Sequence, residues 1–314
     1  MRAVTIRDGR LTVEEHDDPV PGAGEVLVRV RAAGLNGADM IQLRGGYPAP
    51  PGSPQDIPGL ELAGEVAALG PGALRFSVGD RVMGIVGGGG QAELATVHER
   101  VLMLVPESLP WPEAGGVPEV FTTAHDAVFT QAALVAGERL LVHGAAGGVG
   151  CAAVQLGRAA GARVTATVRN PELRDGVAAL GATVIEPEGF AGHGPFDVIL
   201  ELIGAQNLAD NLRSLEVAGR IAVIGIGAGA AGEINLGALM QKRARIHGST
   251  LRARSLELKA LTARAVERSV LPLLATGTIT VPVAATYPLG DAPAAYEHFQ
   301  RGGKLGKIVL LADQ

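Results

Sequence analysis

Along the first 119 residues, apolar and polar side chains alternate in short runs bounded by Gly, Pro and Asp. Alternation sends successive side chains to opposite faces of an extended chain. Arg2–Arg7, Val26–Ala33, Gly64–Leu69, Arg81–Ile85 and Ala92–Val97 are therefore predicted as strands. Between them, residues 44–52 and 84–91 carry Gly and Pro at a density that prevents helix and central strand alike. These are read as loops, either binding loops on a rigid β scaffold or plain surface connections.

From about residue 120 the rhythm changes. The apolar strand Leu140–His143 runs into a Gly-rich turn and a helix over Val149–Ala160. Arg163–Val168, Val184–Ile185, Asp197–Leu202 and Arg220–Ile226 follow as strands, with one helix ending near 180–182 and another over Leu208–Leu215. Strands apolar on both faces, alternating with helices, imply a parallel sheet covered on each side. A single long helix is predicted from Ser255 to about Ala275, and Lys307–Leu311 returns to strand character.

Composition and charge narrow the function classes. At 314 residues and 47% apolar, the chain has material for two medium domains or one large one. Net charge is −5 with both signs well mixed, so nucleic acid is not an expected partner. No run of roughly eighteen apolar residues is present and the N-terminus lacks the apolar stretch of a signal peptide, so a soluble cytoplasmic protein without a membrane partner is expected. Cys151 is the only cysteine, which excludes an intrachain disulfide and any multi-cysteine metal site.

The run His-Gly-Ala-Ala-Gly-Gly-Val-Gly at 143–150 lies directly after a buried strand and at the mouth of a helix. It has the form of a dinucleotide fingerprint in which Ala145 replaces the first glycine, a change that works if that turn position needs no positive φ. Free N–H groups and the positive end of the helix dipole then face a pyrophosphate. Gly144, Ala145, Gly147, Gly148 and Val149 are the candidate cradle, against the alternative of a purely structural turn. NAD enzymes usually end the next strand with Asp or Glu, but Thr-Val-Arg-Asn-Pro (167–171) offers no carboxylate. Arg169, with Asn170 beside it, is instead placed to meet a 2′-phosphate, or is a solvated surface arginine. NADPH is the expected cofactor.

Gly-Leu-Asn-Gly-Ala-Asp (34–39), Gly-Leu-Glu-Leu-Ala-Gly (59–64), Val-Gly-Asp-Arg-Val (78–82), residues 145–150 and the terminal Gly-Lys-Ile-Val-Leu (306–310) resemble, in order, the medium-chain dehydrogenase/reductase superfamily. Its zinc alcohol dehydrogenases carry a Cys where this chain has Asn36, a His where it has Leu60, and a further Cys around 118–121. With those ligands missing, no metal is expected, and Glu61 is read as a partner for backbone or an arginine. Residues 115–128 and 44–51 are similar to the zeta-crystallin-like, zinc-free quinone oxidoreductases, close to the p53-inducible group.

The resemblance implies an α/β protein: a Rossmann doubly wound parallel sheet (120–253) plus a GroES-like, partly open β-barrel catalytic domain (1–119, completed by 254–314), with NADPH in the cleft. It also implies a homodimer along the edge strand near Ala244–Gly248. Position by position, it implies Asn36 and Tyr47 as active-site residues and Thr123 beside the nicotinamide. Leu202, Ile203, Gly204, Gly225, Ile226 and Gly227 would line the cofactor. Lys304, replacing the asparagine usual before the terminal Gly-Lys, is grouped with the cofactor-binding positions. A phosphate-binding lysine of the family is Leu173 here, with Arg169 and Arg174 nearby. A family tyrosine is Pro187. Gln91 replaces an aromatic and is expected to leave the substrate pocket more open or more polar.

Asn36 or Tyr47 is expected to hydrogen-bond developing oxyanion charge on a flat quinone or enone. Tyr47 would also donate a proton, unless it only packs over the cleft mouth. Asp39 is expected to fix the loop bearing Asn36, while His143 and Cys151 look structural. Two other readings remain open: a 2-enoyl-thioester reductase, and a non-catalytic NADPH-binding structural or sensor protein.

Overall fold

In the computed structural model, which describes residues 1–312, the alternating N-terminal runs are strands. Two units are present, one of residues 1–122 with the chain from Leu251 onward, the other Thr123–Thr250. The sequence boundaries at 119/120 and 253/254 lie three residues from these junctions.

β1 (Arg2–Arg7) and β2 (Arg10–Glu15) form an antiparallel hairpin with Val4 opposite Val13. Its two-residue turn, Asp8-Gly9, has φ of 49° and 73°, the pairing that matches the right-handed twist of the strands. The chain continues through β3 (Glu25–Gly34), α1 (Gly37–Leu43), β4 (Glu61–Leu69), β5 (Arg81–Ile85), β6 (Leu94–His98), β7 (Leu102–Leu104), α2 (Trp111–Ala114) and α3 (Pro118–His125). Gly84 and Ile85, where the expected strand and the expected loop overlap, belong to β5, because Gly84 pairs with both Leu62 and Leu102. Val26, Val28 and Val30 point one way from β3 and share a core with Leu62, Val66, Phe76 and Val82.

The second unit runs β8 (Arg139–Val142), α4 (Gly148–Ala159), β9 (Arg163–Thr167), α5 (Arg174–Ala179), β10 (Thr183–Ile185), β11 (Phe196–Glu201), α6 (Leu208–Ser214), β12 (Leu215–Val223), α7 (Leu236–Lys242) and β13 (Arg245–Gly248). Its six strands pair in the order β10-β9-β8-β11-β12-β13, every pair parallel. This is the doubly wound Rossmann order, which reverses direction between β8 and β11. A ligand of such a sheet sits at the carboxyl ends of those strands. Leu141, Ile199 and Ile221 are completely buried in its core, and cutting one back to Ala costs about 2–5 kcal/mol.

The chain then returns to the first unit as α8 (Leu256–Ser269), α9 (Leu271–Ala275), β14 (Val283–Pro288), α10 (Ala292–Arg301) and β15 (Lys307–Leu311). The single helix expected over 255–275 is two. Pro272 has no N–H and its ring crowds the carbonyl four residues back, so the ladder breaks at Val270 (φ −109°, ψ −46°). In the seven-stranded sheet the order is β14-β15-β3-β4-β5-β7, with β6 also on β3. β15 lies antiparallel to β3 with Val309 opposite Gly34, which carries Lys307 to the segment that holds Asn36.

Candidate active site

The Gly-rich turn leaves β8 at its carboxyl end, at the switch point of the parallel sheet. Its positive φ falls on Gly144 (62°) and not on Ala145, so alanine fits where the fingerprint has its first glycine. Gly147 is the N-cap of α4, and the first intrahelical bond runs from Cys151 N to Gly147 O. The N–H groups of Gly148, Val149 and Gly150 are therefore the donors that a helix start leaves without helical partners. A Cβ on Gly150 would lie 2.5 Å from Ala145 Cα, so glycine there lets the helix approach the turn. A Cβ on Gly147 would meet only Gly144 O at 3.6 Å, which leaves open space over the cradle. These features fit a dinucleotide.

A buried polar network that the sequence did not single out fastens the strand ends beneath. Glu201, 3% exposed, accepts from Ile203 N (2.7 Å), Gly204 N (2.9 Å), Asn211 Nδ2 (2.7 Å) and Asn207 Nδ2 (3.1 Å). It therefore sets the backbone of the expected cofactor-lining segment, while Ile224 N and Gly225 N donate to its carbonyl. Asn211 Oδ1 lies 2.8 Å from His143 Nε2, and His143 Nδ1 lies 3.1 Å from Thr167 Oγ1. Since Asn211 Nδ2 donates to Glu201, its Oδ1 accepts, and the neutral His143 ring donates from Nε2. Burial lowers the His143 pKa against the pull of Glu201, keeping the ring neutral. The signal was an acid in the otherwise apolar Val-Ile-Leu-Glu-Leu run. Cys151 is buried, its Sγ 3.4 Å from Ala145 O.

At the end of β9, Arg169 is exposed and makes no hydrogen bond or ion pair with the described residues. Arg174 is engaged, donating to Val168 O (3.2 Å) and Glu186 Oε1 (2.9 Å). Asn170 Oδ1 accepts from Glu172 N at 3.1 Å, capping the turn after the strand. Thr123 is buried in α3, and Ile226 and Gly227 are exposed beyond β12. Lys304 belongs to the other unit, where its Nζ donates to Gly306 O at 3.0 Å and lies 4.3 Å from the Phe299 ring centroid.

The first unit holds a second polar cluster. Lys307, 2% exposed, donates to Glu61 Oε1 (2.6 Å), Leu35 O (2.7 Å) and Asn36 Oδ1 (2.8 Å). Asn36 Nδ2 donates to Glu61 Oε1 (2.9 Å) and Gly34 O (3.2 Å), and Glu119 N donates to Glu61 Oε2 (2.8 Å). Glu61 thus partners a lysine and a backbone N–H, not an arginine. Asp39 Oδ2 accepts from Asn36 N at 2.8 Å at the start of α1, so Asp39 does anchor the Asn36 segment. Burial raises the Asp39 carboxyl to about 7 and that of Glu119 to about 8, with Glu61 adding to both shifts and Lys307 opposing them. Glu119 Oε2 is buried without a hydrogen-bond partner. Among the described residues, no group of three His, Cys, Asp or Glu side chains is arranged for a metal ion.

Tyr47, half-buried in the loop after α1, has φ of 52°. For a bulky residue this left-handed conformation costs about 1–3 kcal/mol and persists only where its surroundings enforce it. Arg252 does so: its guanidinium donates to Tyr47 O (2.5 Å), Gly87 O (2.7 Å) and Gln42 Oε1 (2.7 Å), and stacks 5.1 Å from the Tyr47 ring centroid. Burial and Glu119 raise the Tyr47 phenol pKa, and Arg252 pulls it back. Arg252 was not among the sequence candidates. Gln91, expected to open or polarise the pocket, is instead completely buried, and its Oε1 accepts from Tyr296 OH at 2.9 Å. It is a core residue because the glycine loop turns it inward.

A parallel sheet with a glycine-rich turn at its switch point, in one chain with a β unit that holds a buried polar cluster, has the form of a nucleotide-dependent oxidoreductase of the two-unit dehydrogenase type. Residues 22–107 match the alcohol dehydrogenase GroES-like domain and residues 148–267 the zinc-binding dehydrogenase domain. The quinone oxidoreductase of Homo sapiens is 31% identical over 305 residues, covering 93% of this chain and 91% of its own. The polyketide synthase GfsB of Streptomyces halstedii is 34% identical over 296 residues, and the chain spans only 5% of that protein's length. A mycobacterial protein solved with NADPH has a TM-score of 0.86 at 27% identity, with 99% of this chain and 100% of that one covered. The chain belongs to the medium-chain dehydrogenase/reductase superfamily, on its quinone oxidoreductase branch.

Proposed function

We propose that this protein reduces quinones and related conjugated carbonyl compounds with NADPH and without zinc. The observation that carries the cofactor choice is Arg169: exposed, without a partner among the described residues, and just past β9 where no carboxylate stands to receive the ribose hydroxyls. A free guanidinium grips a 2′-phosphate in a two-point contact. Gly144–Val149 hold the pyrophosphate, and Leu202–Gly204 and Gly225–Gly227 line the nicotinamide side with Thr123. Bound there, the reduced nicotinamide supplies a hydride, two electrons in one step.

The chain's own residues orient the acceptor, exclude water and place a proton. Asn36 spends both amide hydrogens on Gly34 and Glu61 and its oxygen on Lys307, so it organises the cluster. The bond to developing oxyanion charge falls to Tyr47, whose hydroxyl has no partner among the described residues. A catalytic zinc does not fit. Asn36 and Leu60 stand at ligand positions, and a buried ammonium already lies against Glu61.

A 2-enoyl-thioester reductase is the second reading, favoured by the 34% identity to a polyketide synthase segment. The proposal includes a cytoplasmic homodimer. β13 is an edge strand, and Leu236 (62% exposed) and Met240 (75%) on the preceding α7 add apolar surface.

The test offers purified protein NADPH or NADH with ortho-quinones, para-quinones, enones and enoyl thioesters. Quinone turnover with NADPH is expected, and turnover confined to thioesters selects the second reading. Tight NADPH binding with no turnover selects a non-catalytic role. Arg169→Ala should raise KM for NADPH ten- to a hundredfold, about 1.4–3 kcal/mol, and leave NADH unchanged. Equal losses with both cofactors would remove Arg169 from the phosphate site.

A further inference from the structure

Arg252 is a guanidinium with a hydrogen bond from each of its three nitrogens, 3% exposed, at the start of the segment where the chain re-enters the first unit. It bonds three residues far from it in sequence: Gln42 on α1, Tyr47 in the Gly-Pro loop, and Gly87 in the glycine loop. These bonds span up to 210 positions along the chain. Its Cζ also lies over the Tyr47 ring, 5.1 Å from the centroid, and Tyr47 has a left-handed backbone that a bulky residue rarely adopts. An arginine used only for packing needs none of this. The three-way grip ends on one residue whose hydroxyl is left free.

We propose that Arg252 is the positioning residue of Tyr47, clamping its backbone in the left-handed conformation and stacking on its ring so that the phenol is presented as the acid of the reduction. The inference rests on the reductase reading above. In that reaction the acceptor gains two electrons with the hydride, and its oxygen then takes the proton of the Tyr47 O–H bond. The phenolate left behind lies beside the Arg252 cation, and water returns the proton.

The ionisable groups acting on Tyr47 are Arg252, which favours the phenolate, and Glu119, which opposes it once ionised. Lys259 stands near enough to feel both and carries a pKa lowered by burial. Arg252 therefore sets both where the phenol is and how readily it parts with its proton. Arginine suits this task better than lysine, because a planar fork binds several acceptors while its face covers a ring.

The experiment labels the three tyrosines with 3,5-difluorotyrosine, whose electron-withdrawing fluorines bring the phenol titration into an accessible range. The Tyr47 fluorine signal is identified by its loss in Tyr47→Phe. Arg252→Gln should move the Tyr47 titration upward by a unit or more, and leave Tyr287 and Tyr296 where they were. Glu119→Gln should move it downward. Should Arg252→Gln not fold, Arg252→Lys carries the test: it keeps the charge, loses the stack, and should shift the Tyr47 signal with kcat down at least threefold.

In steady state, Arg252→Gln should lower kcat about tenfold or more with KM for NADPH within twofold. That loss should disappear in a Tyr47→Phe background, where no phenol remains to position. A Tyr47 signal that ignores both Arg252 variants would overturn the proposal, as would full additivity with Tyr47→Phe. Because the fluorine titration needs no turnover, an inactive protein whose Tyr47 signal moves as expected refutes the reductase reading alone.

Discussion

In the unit built from both chain ends, a carboxylate is buried against an ammonium. In the unit formed by Thr123–Thr250, a carboxylate is buried against N–H donors alone. Glu61 meets Lys307, Asn36 and one backbone N–H. Glu201 meets two backbone N–H groups and two asparagine amides, with a neutral imidazole one bond further on. Both arrangements organise a strand end, but they depend on different physics. An ion pair taken out of water holds only while both members remain, because either charge alone is stranded. A carboxylate held by dipoles shares the burden over several donors, and losing one leaves the rest.

Removing a partner from each unit measures that difference. Lys307→Met should destabilise the protein by about 3–5 kcal/mol in urea unfolding, because it leaves Glu61 charged and buried. Adding Glu61→Gln should recover part of the loss, and a double variant as unstable as the single would refute the charge argument. Asn211→Leu takes one donor from Glu201 and the acceptor from His143. It should cost about 1–3 kcal/mol, and a loss equal to that of Lys307→Met would erase the distinction.

The two units also differ in their response to pH. Asp39 and Glu119 have folded-state pKa values raised to about 7 and about 8, so the folded state holds protons that the unfolded chain has released. Stability from the first unit should therefore fall as pH rises from about 4 to about 8. His143 is lowered, so the folded state binds fewer protons than the unfolded chain below its ordinary 6.5. The second unit should loosen as pH falls through that range. Hydrogen exchange followed peptide by peptide at pH 5, 6.5 and 8 reads the two signs separately. Matching trends in both units would show that one of these groups titrates in its ordinary range.

Local pattern made much of the fold legible. Alternation located β1 and β3–β6, and β5 and β15 agree to the residue at both ends. The glycine turn was readable because its chemistry is carried by consecutive residues. The break at Val270 was readable in principle too, since Pro272 sits inside the helical run. It was passed over because apolar spacing continues on both sides. Glu201, an acid in an apolar run whose partners lie within ten residues, was readable in principle as well, whereas Arg252 and Glu119 could not be found that way. Each acts through partners far along the chain, so nothing near it in sequence marks it as more than a polar residue in a mixed segment. Gln91 shows the converse: its position after a glycine run placed it in a loop, but only packing turned its amide to Tyr296.

By itself, then, the sequence determined the two rhythms, the glycine-rich turn at the mouth of α4, and the arginine in place of a carboxylate after the second strand. These depend on spacing and on backbone rules that act over a few residues. Tertiary structure decided which carboxyls meet a cation, that Asn36 is consumed inside the protein while the Tyr47 hydroxyl has no partner among the described residues, and that Arg252 holds Tyr47. Those outcomes depend on β15 lying against β3 and on loops from separate parts of the chain reaching one guanidinium. Burial and pairing are properties of the assembled core, which no single segment contains.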